Sequence, residues 1–283
     1  MANIKDKRSV TSRIGLFVAY LVLLAFTVLA LYPLIWLVLN SFKTTTEFQL
    51  NRLGFPKKWT TLNYTYAWVK GNFPTMIMNS VIYTGITTVV TLIFSMMASF
   101  AFAKIANKAT PFLHGSFVIG LLLTLQSIMV PLFLLANWAH LYNTRLGVLI
   151  PYIGIAMPMG IYLCTEYIKS IPTALVESAR IDGATYFKIF GAIIVPMAAP
   201  VATTVAIMTV TGTWNEFMLI NILTSKESLK SLPVGVQKFA GALSSDFGKQ
   251  FASLVIGLIP MLVFYAVFHK EITKGVSAGA VKG

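Results

Sequence analysis

The feature that most limits how this chain folds is a series of six apolar stretches, each long enough to cross a bilayer, for which about 20 apolar residues suffice. They run from Ile14 to Leu39, Ser80 to Ala103, Phe112 to Trp138, Leu146 to Thr165, Phe190 to Asn215 and Phe251 to Phe268. The expected fold is all-α, a polytopic integral membrane protein with six transmembrane helices. Apolar residues make up 57% of the chain and charged residues 11%, where soluble domains carry about 25% charged residues. The 22 Lys and Arg residues give a formal charge of +13, but they lie between the apolar stretches and form no basic domain. They read as loop and headgroup anchors in a lipid bilayer, with no nucleic acid implied.

An even number of spans puts both termini on one side. The N-terminal arm, with Lys5, Lys7, Arg8 and Arg13 against Asp6, places that side in the cytoplasm. The loops on the two faces nearly balance in charge, so the orientation rests mainly on the first span, which often dominates, and on the charged loop after the fourth span, which suits the cytoplasm. One integral domain is expected over 14–270, between a cytoplasmic arm at 1–13 and a cytoplasmic tail at 271–283, with a cytoplasmic loop at about 166–190. The first span is too long for a cleaved signal sequence and should remain as a span.

Catalytic chemistry is hard to find. His114, His140 and His269 lie near three different span ends and form no recognisable metal set. The single cysteine, Cys164, excludes an intrachain disulfide. No Gly-x-x-x-x-Gly-Lys-Ser/Thr loop is present, so this chain should not bind or hydrolyse ATP through that motif. The span interiors hold no Lys, Arg or Asp, against a buried proton relay. They hold neutral polar groups instead, among them Thr84, Thr87, Thr88, Ser95, Gln126, Thr211 and Thr213, each suited to an interhelical hydrogen bond or to lining a path. Gln126, placed near the middle of the third span with donors and acceptors together, is the candidate for lining, and Asn215 at the end of the fifth is the second.

The loop after the fourth span carries the most specific motif, Glu177-Ser178-Ala179-Arg180-Ile181-Asp182-Gly183-Ala184, followed by Ile194-Val195-Pro196. Pro172 suits a first helical turn, and Gly183 suits the left-handed residue that ends a helix. The product is a short helix, a sharp turn and a second short helix, a charged knob that a soluble partner could grip. Pro196 and Pro200 follow directly and are hinge candidates, able to pass a displacement of the knob into the fifth span.

This motif resembles the EAA loop of the inner-membrane permeases of ATP-binding-cassette importers, with Ser178 where the family usually has a second alanine. Asn40-Ser41-Phe42-Lys43, Asn79-Ser80, Trp214-Asn215-Glu216 and the ending Gly279-Ala280-Val281-Lys282-Gly283 extend the resemblance to the smaller, maltose-type permease of carbohydrate uptake. The resemblance implies the MetI-like fold of binding-protein-dependent transport permeases in a bacterial or archaeal cell membrane. It implies a second, homologous permease, a dimer of cytoplasmic ATPases that use ATP and Mg, and an extracytoplasmic sugar-binding protein. This chain would bind no cofactor itself and catalyse nothing. Glu177, Ser178, Ala179, Arg180, Asp182 and Gly183 would dock the ATPase, and Gly279 and Lys282 of the tail would reach it. Two other readings stand beside this one: an ion-coupled secondary carrier, whose inverted repeats are not visible here, and an importer of the same superfamily with non-sugar cargo.

Overall fold

A computed structural model of the chain describes residues 10–105, 107–239 and 246–280. Every regular element among them is helical, as expected where backbone groups in lipid must be satisfied within the segment. In chain order the helices are α1 (Val10–Ser41), α2 (Thr45–Leu50), α3 (Leu62–Val69), α4 (Phe73–Lys104), α5 (Thr110–Gly120), α6 (Leu125–Trp138) and α7 (Arg145–Lys169). There follow α8 (Thr173–Ile181), α9 (Tyr186–Ile189), a π-helical turn at Phe190–Ile194, α10 (Val195–Met197), α11 (Ala199–Asn215) and α12 (Met218–Leu223). A 3₁₀ turn at Glu227–Leu229, α13 (Leu232–Gln237) and α14 (Phe247–Ala280) complete the order.

Four helices are individually long and apolar enough to span a membrane, in Gly15–Ser41, Phe73–Lys104, Arg145–Lys169 and Phe247–Glu271. The other two expected spans are not straight. α5 and α6 meet at 104°, and the pair Tyr186–Met197 and Ala199–Asn215 meet at 76°. Six crossings result if each bent pair counts as one. At the first bend Leu121, Leu122 and Leu123 donate to carbonyls three residues back, and Thr124 is extended, so the helix tightens and stops. Gly120 lies there against Pro158 of α7, so close that an added Cβ would stand 3.1 Å from its ring. Backbone helix also continues to Ala280, beyond the span end expected at Phe268.

The described residues fall into two compact units. In the larger, Gly71–Lys238 with the chain from Gly257, α4 packs along α7 and α11. Its buried face carries a row of hydroxyls, Thr84, Thr88, Thr91, Ser95 and Ser99 at steps of three or four, with Thr87 beside Thr88, as one side of a helix allows. Gly160 of α7 makes room for this row, since a Cβ there would fall 2.4 Å from the Ser95 hydroxyl. Small groups allow close backbone approach where lipid supplies no hydrophobic drive between helices. At the other end Asn79 donates to the carbonyls of Ser228 and Lys230, Tyr83 to that of Leu229, and Ser80 accepts from the Leu232 amide. Arg145 donates to Asn79 Oδ1 at 2.9 Å, which fixes the amide's orientation.

The smaller unit contains the chain up to Lys70 together with Phe239–Ile256. Here the Asn40-Ser41-Phe42-Lys43 segment ties the loop after α1 into one body. Lys43 is fully buried and donates to the carbonyls of Asn51 at 2.8 Å and Gly54 at 2.6 Å. Asn63 of α3 donates to the carbonyls of Ser41 and Lys43, and Phe42 packs against Trp59 and Tyr64. Burial pushes the Lys43 pKa below its ordinary 10.5, and the Glu47 charge partly opposes this.

In the window between that lowered value and 10.5 the unfolded chain holds the proton and the folded chain does not, so folding gains stability as pH rises through it. Hydrogen exchange of the α2 amides, corrected for intrinsic rates, should show protection rising with pH in this window. Lys43→Met should abolish the rise.

Candidate functional site

The knob between α7 and α11 is built as a helix, a left-handed turn and a second helix. Pro172 stands immediately before α8, and Gly183 has φ +78°, the conformation that glycine tolerates best. The Asp182 amide donates to Ser178, the Gly183 amide to Arg180 and the Ala184 amide to Ala179, which closes the helix end. Thr185 then caps α9 by accepting from the Lys188 amide.

One face of the knob is anchored. Val176 and Ile189 are buried in an apolar cluster with Met96, Phe100, Cys164, Ile168 and Ile171, and Ala179 and Ala184 pack against it. The Arg180 guanidinium turns back to donate to Ala184 O at 2.9 Å and lies 4.6 Å from the centre of the Tyr186 ring. That ring meets Phe100 of α4 edge-on. Lys104, at the end of α4, donates to Ile171 O and to the Thr173 hydroxyl.

The other face is bare. Glu177, Ser178 and Asp182 are exposed, and Glu177 makes no hydrogen bond or ion pair among the described residues. Beside them stand Ile181 and Phe187, 86% and 79% exposed, which sequence reasoning did not single out. The six motif residues therefore divide: Ala179 and Arg180 hold the knob, Gly183 turns it, and Glu177, Ser178 and Asp182 present it. Aromatic and aliphatic groups around a free carboxylate, in a loop between spans, suit a protein partner better than water.

Beyond the knob, Pro196 and Pro200 flank Ala198, the residue at the 76° bend, with the π-helical turn just before them. Farther along, a cavity of about 310 Å³ lies between α7 and α11, with Tyr152 and Glu216 among its lining residues. Tyr152 donates to Glu216 Oε2 at 2.6 Å, and Glu216 also accepts from the Leu219 and Ile220 amides at the start of α12. The two path candidates stand beside this cavity without lining it. Gln126 follows the lining residue Leu125, and Asn215 precedes Glu216. Gln126 is exposed near the start of α6, just after the break. Gly279 lies within the helical end of α14, and Lys282 lies outside the described residues. No group of three His, Cys, Asp or Glu among the described residues could hold a metal.

Residues 109–269 match the family described as "Binding-protein-dependent transport system inner membrane component". The chain belongs to this family. The permease is 33% identical over 281 residues to the probable ABC transporter permease protein YurM of Bacillus subtilis (strain 168), with 99% of this chain and 93% of that one covered. It is 32% identical to the multiple sugar-binding transport system permease protein MsmG of Streptococcus mutans serotype c (strain ATCC 700610 / UA159), with 95% and 98% covered. Its fold matches a chain in the crystal structure of a bacterial ABC transporter involved in the import of the acidic polysaccharide alginate. The TM-score is 0.81 at 24% identity, with 93% of the permease and 98% of that chain covered. The permease is thus a multi-pass membrane subunit of the binding-protein-dependent class, all-helical as its sequence implied.

A Cβ at Gly183 meets no neighbour, so the cost of Gly183→Val is conformational, about 1–2 kcal/mol for a left-handed residue. The Ala184 amide should then exchange about 5–30 times faster, while exchange in the middle of α4 stays unchanged.

Proposed function

We propose that this permease forms half of the membrane pathway of an ATP-binding-cassette importer for a neutral sugar or oligosaccharide. The observation that carries this reading is the knob, an unpaired Glu177 flanked by exposed Ile181 and Phe187 on a rigidly anchored loop between spans. A stand-alone carrier has no use for such a surface. The sugar cargo is supported by the relative named for multiple sugars.

On this reading the knob lies in the cytoplasm, with both termini on the same side, and enters a cleft of one ATPase. Glu177 supplies the polar contact, and Ile181 and Phe187 the buried area. ATP and Mg are bound by a dimer of such ATPases, and the chain itself binds neither. A second, homologous permease closes the other half of the path, and an extracytoplasmic binding protein delivers the sugar. Closure of the ATPases moves the knob, and the joint between Pro196 and Pro200 passes that movement into α11, toward Gln126, Asn215 and the cavity beside them. Gly279 and Lys282 of the tail add a second ATPase contact.

Co-expression with its genomic neighbours, followed by a sugar-binding screen of the associated binding protein and uptake into proteoliposomes, tests the reading directly. ATP-driven uptake of a carbohydrate is expected, and uptake without ATPase subunits would overturn it. Within the complex, Glu177→Lys places a like-signed or unpaired charge in the contact, a loss of about 2–5 kcal/mol. ATPase subunits should no longer co-purify with this variant, and wild-type sugar uptake by it would remove the knob from the docking role.

A further inference from the structure

We infer that Tyr152 and Glu216 form an acceptor pair in this permease that holds one ring of a neutral sugar during its passage, which rests on the sugar-importer reading above. The cavity they border, about 310 Å³, is at the small end of the roughly 300–1,000 Å³ typical of small-molecule sites. The rest of its wall is mostly apolar, with Met159, Met208 and Leu219, and carries the two hydroxyl residues Thr209 and Thr213.

The hydrogen-bond inventory of the pair decides what it can take. A carboxylate offers about four lone-pair positions and no donor. Glu216 Oε2 spends two, on the Ile220 amide at 3.2 Å and the Tyr152 hydroxyl at 2.6 Å, and Oε1 spends one on the Leu219 amide at 2.7 Å. One position on Oε1 stays open. The Tyr152 proton is committed to Glu216, so its oxygen is left to accept. The pair thus presents two acceptors that share one hydrogen bond and are held by separate spans. Two neighbouring hydroxyls of a pyranose supply the matching donors, and the C–H face of the ring suits the methionine and leucine walls. A uronate would bring a second negative charge beside Glu216 in an apolar surround, which disfavours it. An ammonium would have to shed its water for a carboxylate already met by three donors, so the neutral ring is the better fit.

The pair is not legible in sequence, because 64 residues separate its members. Its consequence is retention. Sugar released by the binding protein stays in the permease long enough for the ATPases to complete their stroke, and without the pair more of it returns outward.

The test uses the full complex in proteoliposomes with its binding protein, and reads sugar moved per ATP hydrolysed for wild type, Tyr152→Phe, Glu216→Gln and Gly212→Leu. Gly212 borders the cavity, and a Cβ there meets nothing within 4 Å, so leucine fills the space without a clash at its base. Each variant should lower the ratio about fivefold, the effect of one lost hydrogen bond or of a filled ring position. A general folding defect lowers uptake and hydrolysis together and leaves the ratio where it was. If wild type carries a neutral sugar and all three variants keep its ratio, the subsite is overturned while the importer reading stands. If the wild-type complex carries no carbohydrate, both fall.

Discussion

The larger unit depends on the close approach of α4 to α7, set by a glycine against a row of hydroxyls. Gly160 leaves no room for a side chain opposite Ser95, and Ser99 donates to the Ile161 carbonyl on the same flank. In lipid, apolar side chains gain nothing by leaving the hydrocarbon for each other, so what holds two spans together is contact made possible by small groups. Five hydroxyls of the row, on Thr84, Thr87, Thr88, Thr91 and Ser95, are buried without a hydrogen bond among the described residues. Their contribution is therefore one of shape. Once α4 is fixed in this way, its ends define two other regions. Asn79, Ser80 and Tyr83 hold the 228–232 segment, and Phe100 and Lys104 hold the knob.

The two bends show what hydropathy alone leaves open. An apolar stretch reports how much surface wants lipid and says nothing of direction. The third expected span, Phe112 to Trp138, is about as long as the first, Ile14 to Leu39, which folds as one helix, so length did not announce the bend. The break itself is set by Gly120 meeting Pro158, a contact with another span that no local window contains. The second bend had a local sign, Pro196 and Pro200, and the chain does turn between them.

The knob was legible for the same reason. Proline before a helix and glycine after it are local backbone rules, and Pro172 and Gly183 obey both. Which motif residues face inward was not legible, because it depends on the phase of α8 against the cluster around Phe100 and Ile168. Ala179 packs against that cluster and Arg180 is turned back onto Ala184 and Tyr186, while Ile181 and Phe187, ordinary apolar residues in the sequence, remain outside. Lys43 is the reverse case. A lysine in a polar loop reads as solvated, yet two carbonyls of the folded loop take its ammonium out of water. Folded contacts rather than the local residue pattern decide both outcomes.

The contrast between α4 and the segment from Phe190 to Pro200 locates where this molecule can yield. α4 is one continuous helix of 32 residues, so bending it breaks or stretches backbone hydrogen bonds along a span where no water replaces them. The segment after the knob has already given up part of that ladder. Pro196 and Pro200 have no N–H to offer, the turn at Phe190–Ile194 is π-helical, and Ala198 has left helical geometry with ψ near 7°. A change of angle there costs fewer bonds than the same change anywhere in α4. On the proposed reading, force applied at Glu177, Ile181 and Phe187 is carried rigidly by the anchored knob and spent at this joint. What then moves is α11, which bears Thr209, Gly212 and Thr213 on the wall of the cavity and leads directly to Glu216. On that reading the ATPase contact and the cargo path would be joined through one short stretch of weakened helix, with α4 as the fixed frame against which that stretch turns.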